Sequence, residues 1–141
     1  MTGLEKFPAY LTLLFEIDSL VLHIDRNLDN ICVLEENGRY DYFPICDLRS
    51  SLMANIYAYP MDVHPIRMID CPTTYPFHIT ISRQVRTAQS LYGKQLRIPK
   101  FTYDELMEEL QPLLEYYTSR RRDQIASRVC HTVCSRQNTI L

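Results

Sequence analysis

Asn37-Gly38 restricts the fold of this chain more than any other pair of residues. It stands between two strand-like runs, Ile31-Cys-Val-Leu34 and Tyr40-Asp-Tyr-Phe-Pro-Ile-Cys46, both rich in β-branched and aromatic residues. Asn-Gly accepts positive φ at both centres of a two-residue turn, and the twist of that turn matches the strands on either side. With the turn at Asn37 and Gly38, Cys32 faces Phe43 and Asn30 faces Ile45. Asp47 then comes opposite position 28. A hairpin here returns Asp47 to the polar loop that carries Asp25 and Asn30.

Around this hairpin the sequence predicts helices. Residues 9–22 have apolar positions on most sides (Leu11, Leu14 and Val21 in one row, Leu13, Ile17 and Leu20 in another), the pattern of a buried helix. Asp18 inside it is expected to bond to neighbouring backbone. Residues 50–77 contain Pro60, Pro65, Pro72 and Pro76 and are expected to form loops and short turns. A second helix is expected over 82–92, stopped by Gly93. Thr102-Tyr-Asp-Glu105 is a capping box, so a third helix should start there and run to about Leu110. Pro112 would start or interrupt the segment after it. A last helix, capped near Thr118 or Ser119, carries Ile125, Val129, Cys130, Val133 and Cys134 on one face. The fold class is therefore α+β, mostly helical, in a single domain over 1–141.

A hydrophobic content of 46% with 23% charged residues belongs to an ordinary globular chain, and a net charge of −2 gives no reason to expect nucleic acid or an anionic membrane. The longest uncharged run, Ser50 to Met61, is too short to span a bilayer, and the N-terminus has no apolar signal segment. The expected compartment is the cytoplasm. The five cysteines, odd in number and scattered, read as reduced thiols. Cys130 and Cys134 lie one helical turn apart around His131, but a closed zinc site needs four ligands. Core cysteine is the better reading. Arg120, Arg121, Arg122, Arg128 and Arg136 would give the last helix a basic side, read here as a solvated face. His64, His78 and His131 read as surface or packing histidines.

Asp25 with an Asn five residues on, and a second Asp beyond a hairpin, is the order in which kinase-like folds assemble a phosphoryl-transfer site. In that pattern Asp25 accepts the proton of the attacking hydroxyl, and Asn30 and Asp47 hold Mg²⁺. The Asp-x-x-x-x-Asn spacing is weak alone. The sequence of buried helix, polar loop, hairpin and acidic residue gives it context.

The segments Phe15-Glu-Ile-Asp-Ser-Leu-Val-Leu-His-Ile-Asp-Arg-Asn-Leu-Asp-Asn30 and Gly38-Arg-Tyr-Asp-Tyr-Phe-Pro-Ile-Cys-Asp47 resemble the C-terminal lobe of HipA-like serine/threonine kinases. That family includes the toxin kinases of bacterial toxin–antitoxin systems. Gln89-Ser-Leu-Tyr-Gly-Lys-Gln-Leu96 is similar to members of the same group. The resemblance runs from about residue 7 to the C-terminus and is tightest over 15–52. It implies a protein-kinase-like C-lobe with one β-hairpin after the catalytic loop. It also implies Mg²⁺ and ATP as cofactors, Asp25 as base, and Asn30 and Asp47 as metal ligands. Relatives commonly carry Asn where His23 stands and His where Asn27 stands, and often Asn-Gly in place of Leu48-Arg49. The tighter pattern His23-x-Asp25-x-x-x-x-Asn30 also resembles aminoglycoside phosphotransferases and choline-kinase-like enzymes, which share the architecture.

A kinase of this type also needs a lobe with a phosphate-covering loop and a strand-borne Lys. Neither Lys6, Lys94 nor Lys100 stands in such a strand, so the nucleotide-binding lobe is not expected within these residues. The chain would then work with a separate N-lobe or antitoxin-like partner, serve as an inactive remnant or pseudokinase, or be a truncated product. An isolated lobe should expose apolar surface beside the Asp25 loop or cover it by self-association.

Overall fold

Pro8 lies in the first turn of α1 (Phe7–Leu20), where its missing N–H costs nothing. The computed structural model describes residues 4–141. Leu14 and Leu20 of α1 are buried, and so are Thr12, Glu16, Asp18 and Ser19. This helix thus presents polar anchors to the core as well as apolar surface. After the loop of residues 21–32 comes the hairpin β1 (Val33–Glu36) and β2 (Arg39–Tyr42). Val33 pairs with Tyr42 and Glu36 with Arg39, which is the register expected from the Asn37-Gly38 turn. Asn37 (φ 53°) and Gly38 (φ 74°) both take the left-handed conformation that this turn requires.

The second strand is shorter than expected. It ends at Tyr42 and not at Cys46, because Pro44 has no N–H to add to the ladder. The hairpin is docked by the Tyr10 hydroxyl, which donates to Phe43 O (3.0 Å), and by the Tyr10 ring, whose centroid lies 4.3 Å from that of Tyr42.

Residues 43–80 form loops with a short 3-10 turn over Pro65–Arg67. Arg128, buried, holds part of this region by donating to Met53 O (2.8 Å), Tyr59 O (2.9 Å) and Pro60 O (2.8 Å). Helix α2 (Ile81–Tyr92) begins at Thr80, whose hydroxyl accepts the Arg83 N–H, and ends at Gly93 with φ 74°. Helix α3 (Tyr103–Leu114) begins at the Thr102/Glu105 capping box and continues four residues past its expected end. Pro112 falls in its last turns on the exposed side, so the one carbonyl it leaves unbonded remains open to water. Helix α4 spans Ser119–Ile140.

The core has two clusters. Leu22, Met53, Met68, Ile69 and Ile81 form one; Leu20, Val85, Val133 and Ile140 form the other. Arg136 joins three helices: its Nε donates to Ser19 O (3.0 Å), one Nη to Ser82 Oγ (2.9 Å) and the other to Ser19 Oγ. Arg128 and Arg136 thus point inward. The row of five arginines expected on the outside of α4 is reduced to Arg120, Arg121 and Arg122. The architecture is α+β, with four helices and one two-stranded antiparallel sheet among the described residues. No helix among them is long and apolar enough to cross a membrane.

Candidate functional site

The chain leaves α1 in a tight reversal, with Leu22 at φ 50° and the His23 N–H on Asp18 O at 2.7 Å. It then runs between two other segments. The Ile24 N–H meets Ser50 O (3.3 Å), and Ile24 O accepts the Tyr75 N–H (2.7 Å). Asp25 forms an isolated parallel bridge with Tyr75. These bonds fix the backbone on both sides of Asp25.

Arg26 shapes the rest of the loop. Its Nε and one Nη fork onto the Asp18 carboxylate at 2.9 and 2.7 Å, and both side chains are only 2% exposed. The other Nη donates to Asn30 O (3.0 Å) and Cys46 O (3.2 Å). One guanidinium therefore ties the end of α1, the end of the polar loop and the residue before Asp47. Burial alone would lower the Arg26 pKa, but the Asp18 carboxylate outweighs it and holds the guanidinium above its usual value. Asp18 does serve a structural bond, as expected, but its partner is this guanidinium.

Within the loop, Leu28–Asn30 forms one 3-10 turn. The Asn27 carbonyl oxygen of the side chain accepts the Asp29 N–H (2.8 Å), and its amide nitrogen donates to Asp25 Oδ1 (2.9 Å). Asn30 is buried; its Nδ2 donates to Asp25 O and its Oδ1 accepts the Asn27 N–H (3.0 Å). Asp25 and Asn30 are thus brought together and oriented. Asn27 holds the Asp25 carboxylate.

Asp47 lies beside this loop through the Cys46–Arg26 bond, in the left-handed conformation (φ 53°). Both of its oxygens are taken by Arg49, at 2.8 Å from Nε and 2.9 Å from Nη2. That contact holds the Asp47 carboxyl below its usual range and the Arg49 guanidinium above its own, with the charge of Asp25 adding to the latter. By donor type, the Asn30 carboxamide oxygen and the Asp47 carboxylate suit a hard divalent cation such as Mg²⁺. Arg49 already covers Asp47, but its side chain is 84% exposed and free to swing aside. A metal held by Asn30 and Asp47 would need Arg49 to leave Asp47 and the Asn30 oxygen to give up the Asn27 N–H. Among the described residues no three His, Cys, Asp or Glu side chains cluster so as to hold a metal ion.

His23 is buried, with Nδ1 3.3 Å from Ser51 Oγ. Burial pushes its pKa down, with Asp18 pulling the other way, so the ring is neutral in the fold at pH 7. Lys94 and Lys100 lie away from the loop: their ammonium groups reach Leu141 O (2.9 Å) and Asn138 Oδ1 (3.0 Å) at the end of α4.

Several supports of the site carry no signal in the sequence. Glu16 accepts the backbone N–H groups of Gln95 (3.1 Å) and Leu96 (2.6 Å) and the Gln89 side-chain amide (2.7 Å). It thus seats the Gly93–Leu96 segment on α1. An apolar groove of about 360 Å³ borders the Asp25 loop, lined by Phe7, Leu11, Phe15, Leu28 and Phe77 among others, with Leu28 89% exposed. A search of protein-family models, curated proteins and solved structures gives no match to this chain.

Proposed function

We propose that the Asp25–Asn30 loop and Asp47 form the catalytic and metal-binding half of a phosphoryl-transfer site of the HipA-like kind. The acceptor is a serine or threonine hydroxyl of a protein, and a nucleotide-binding lobe has to be supplied beside this one. The observation that supports the reading is the bridge made by Arg26, which bonds Asn30 O and Cys46 O at once and so sets Asp47 beside the loop. Asn30, locked against Asp25, adds the second link. In this reading Asp25 receives the proton of the attacking hydroxyl, held in line by Asn27. Asn30 and Asp47 hold Mg²⁺, which neutralises phosphate charge when bound.

The test is phosphate transfer from Mg²⁺-ATP to protein, measured with the chain joined to or mixed with a HipA-type nucleotide-binding lobe. Activity that falls about 10² to 10⁴-fold in Asp25→Ala supports the assignment. Transfer that survives this change, or no transfer in any combination, overturns it.

The Arg49 fork on Asp47 favours a second reading, an inactive lobe in which an internal cation stands in for the metal. The two separate in a Mn²⁺ titration followed by electron paramagnetic resonance. In an active lobe Arg49→Gln tightens Mn²⁺ binding and Asp47→Asn abolishes it. In an inert lobe neither the parent nor Arg49→Gln binds Mn²⁺ at millimolar concentration.

A further inference from the structure

Two cysteines flank the hairpin at its base, Cys32 before β1 and Cys46 after β2. Both are free thiols and partly exposed. Their sulfurs sit on consecutive carbonyls of the 3-10 turn, Cys32 Sγ 3.9 Å from Asp29 O and Cys46 Sγ 3.9 Å from Asn30 O. The thiols also meet each other: burial first, then the Cys46 thiol as a hydrogen-bond partner, pushes the Cys32 thiol up. The other three cysteines are placed apart from this pair. Cys71 rests on Arg67 O, Cys130 is fully buried in α4, and Cys134 reaches Phe101 O.

Cys32 and Cys46 lie outside the strand ladder, whose last pair is Val33 with Tyr42. No strand pairing holds their backbone, so the sulfurs can close from contact to bonding distance. The Arg26 charge acts on Cys32 against the effect of burial and favours the thiolate that attacks in disulfide exchange.

We propose that Cys32 and Cys46 form a redox modification site, closing to a disulfide across the base of the hairpin by exchange with glutathione disulfide. The thiolate of one cysteine attacks a sulfur of glutathione disulfide. That S–S bond breaks, and one glutathione leaves as a thiolate that takes up the proton the cysteine gave up. The second cysteine thiolate attacks the protein sulfur of the mixed disulfide, forms the intramolecular S–S bond and releases the second glutathione. Two electrons and two protons thus pass from the protein to glutathione. The link makes covalent a junction that Arg26 holds by hydrogen bonds, on Asn30 O and Cys46 O. It does not depend on phosphoryl transfer by the loop.

In the test the full chain is equilibrated in buffers of graded reduced and oxidised glutathione, once folded and once in urea. It is then quenched in acid, alkylated and digested with trypsin. Cleavage after Arg26, Arg39 and Arg49 puts the two cysteines on separate peptides, 27–39 and 40–49, which stay joined only through the link. Closing a loop of about 15 residues is costly in the unfolded chain, so the equilibrium constant for the link should be at least about ten-fold higher in the folded one. Cys32→Ser should lose the link and carry glutathione on Cys46 alone. Equal constants in the two states overturn the proposal. So do glutathione adducts on the two peptides without a link, or a link made instead through Cys71, Cys130 or Cys134.

Discussion

Arg26 makes four hydrogen bonds from one buried guanidinium, and each holds a different consequence for the loop. Removing it strands the Asp18 carboxylate in the core. Arg26→Ala should therefore cost about 3–5 kcal/mol in urea unfolding. Arg26→Lys should recover little of this, since an ammonium has no planar fork to span carboxylate and carbonyls. The pair Asp18→Leu with Arg26→Met leaves no charge behind and should recover most of the stability, though the tie between Asn30 and Cys46 is gone. A double-mutant cycle decides it: if Arg26→Ala costs under 1 kcal/mol, the guanidinium is not what shapes the loop. Nothing in the local pattern announces this pair. Asp18 sits on a helix and Arg26 eight residues later in a loop, and only the reversal at Leu22 and His23 turns one toward the other.

Elements whose signals are local were legible before the fold. Asn37-Gly38 is a turn signal whose two residues need positive φ, and the strand register follows from it without further information. Gly93 and the Thr102/Glu105 box work in the same way, since each satisfies backbone groups within four residues. The misjudged end of α3 has a cause of another kind. The third helix continues through Pro112 because α3 packs on α4 there, with Leu114 buried, and tertiary contact outweighs the proline's preference. The capping box supports a prediction of its own. Thr102→Ala should cost about 1 kcal/mol. The Thr102 N–H and hydroxyl on Glu105 hold its carboxyl below the ordinary glutamate value of 4.5. A depressed carboxyl contributes stability that is present above that value and lost as pH falls through the folded one. The protection of the amides in the first turn of α3, relative to their intrinsic exchange rate at each pH, should thus fall below about pH 4.5. The same acid dependence in Glu105→Gln would assign it elsewhere.

At the scale of the molecule, the fold is held by polar side chains that reach across the chain. Glu16 binds the Gln95–Leu96 backbone, Arg128 the loop from Met53 to Pro60, and Arg136 the end of α1. No periodicity shows such bonds, because their partners are backbone groups 68 or more residues away. That is why the buried arginines of α4 read in sequence as an exposed basic face. Ionisable groups taken into the interior also give the whole molecule a pH dependence. His131 packs against His64 and Tyr103, with ring centroids 4.6 and 5.0 Å away, and burial lowers its pKa, aided by the His64 charge. His23 is lowered chiefly by burial as well. A histidine whose folded pKa lies below the ordinary 6.5 binds its proton more readily when unfolded, so stability is complete above that value and falls as pH drops through it. The urea midpoint should therefore decline between pH 7.5 and 5.5, with most of the fall below 6.5. His131→Phe keeps the ring stack and removes one titrating group, so its midpoint should decline less over the same range. If the two proteins decline in parallel, His131 binds its proton equally well folded and unfolded, and its burial is not what makes the stability depend on pH.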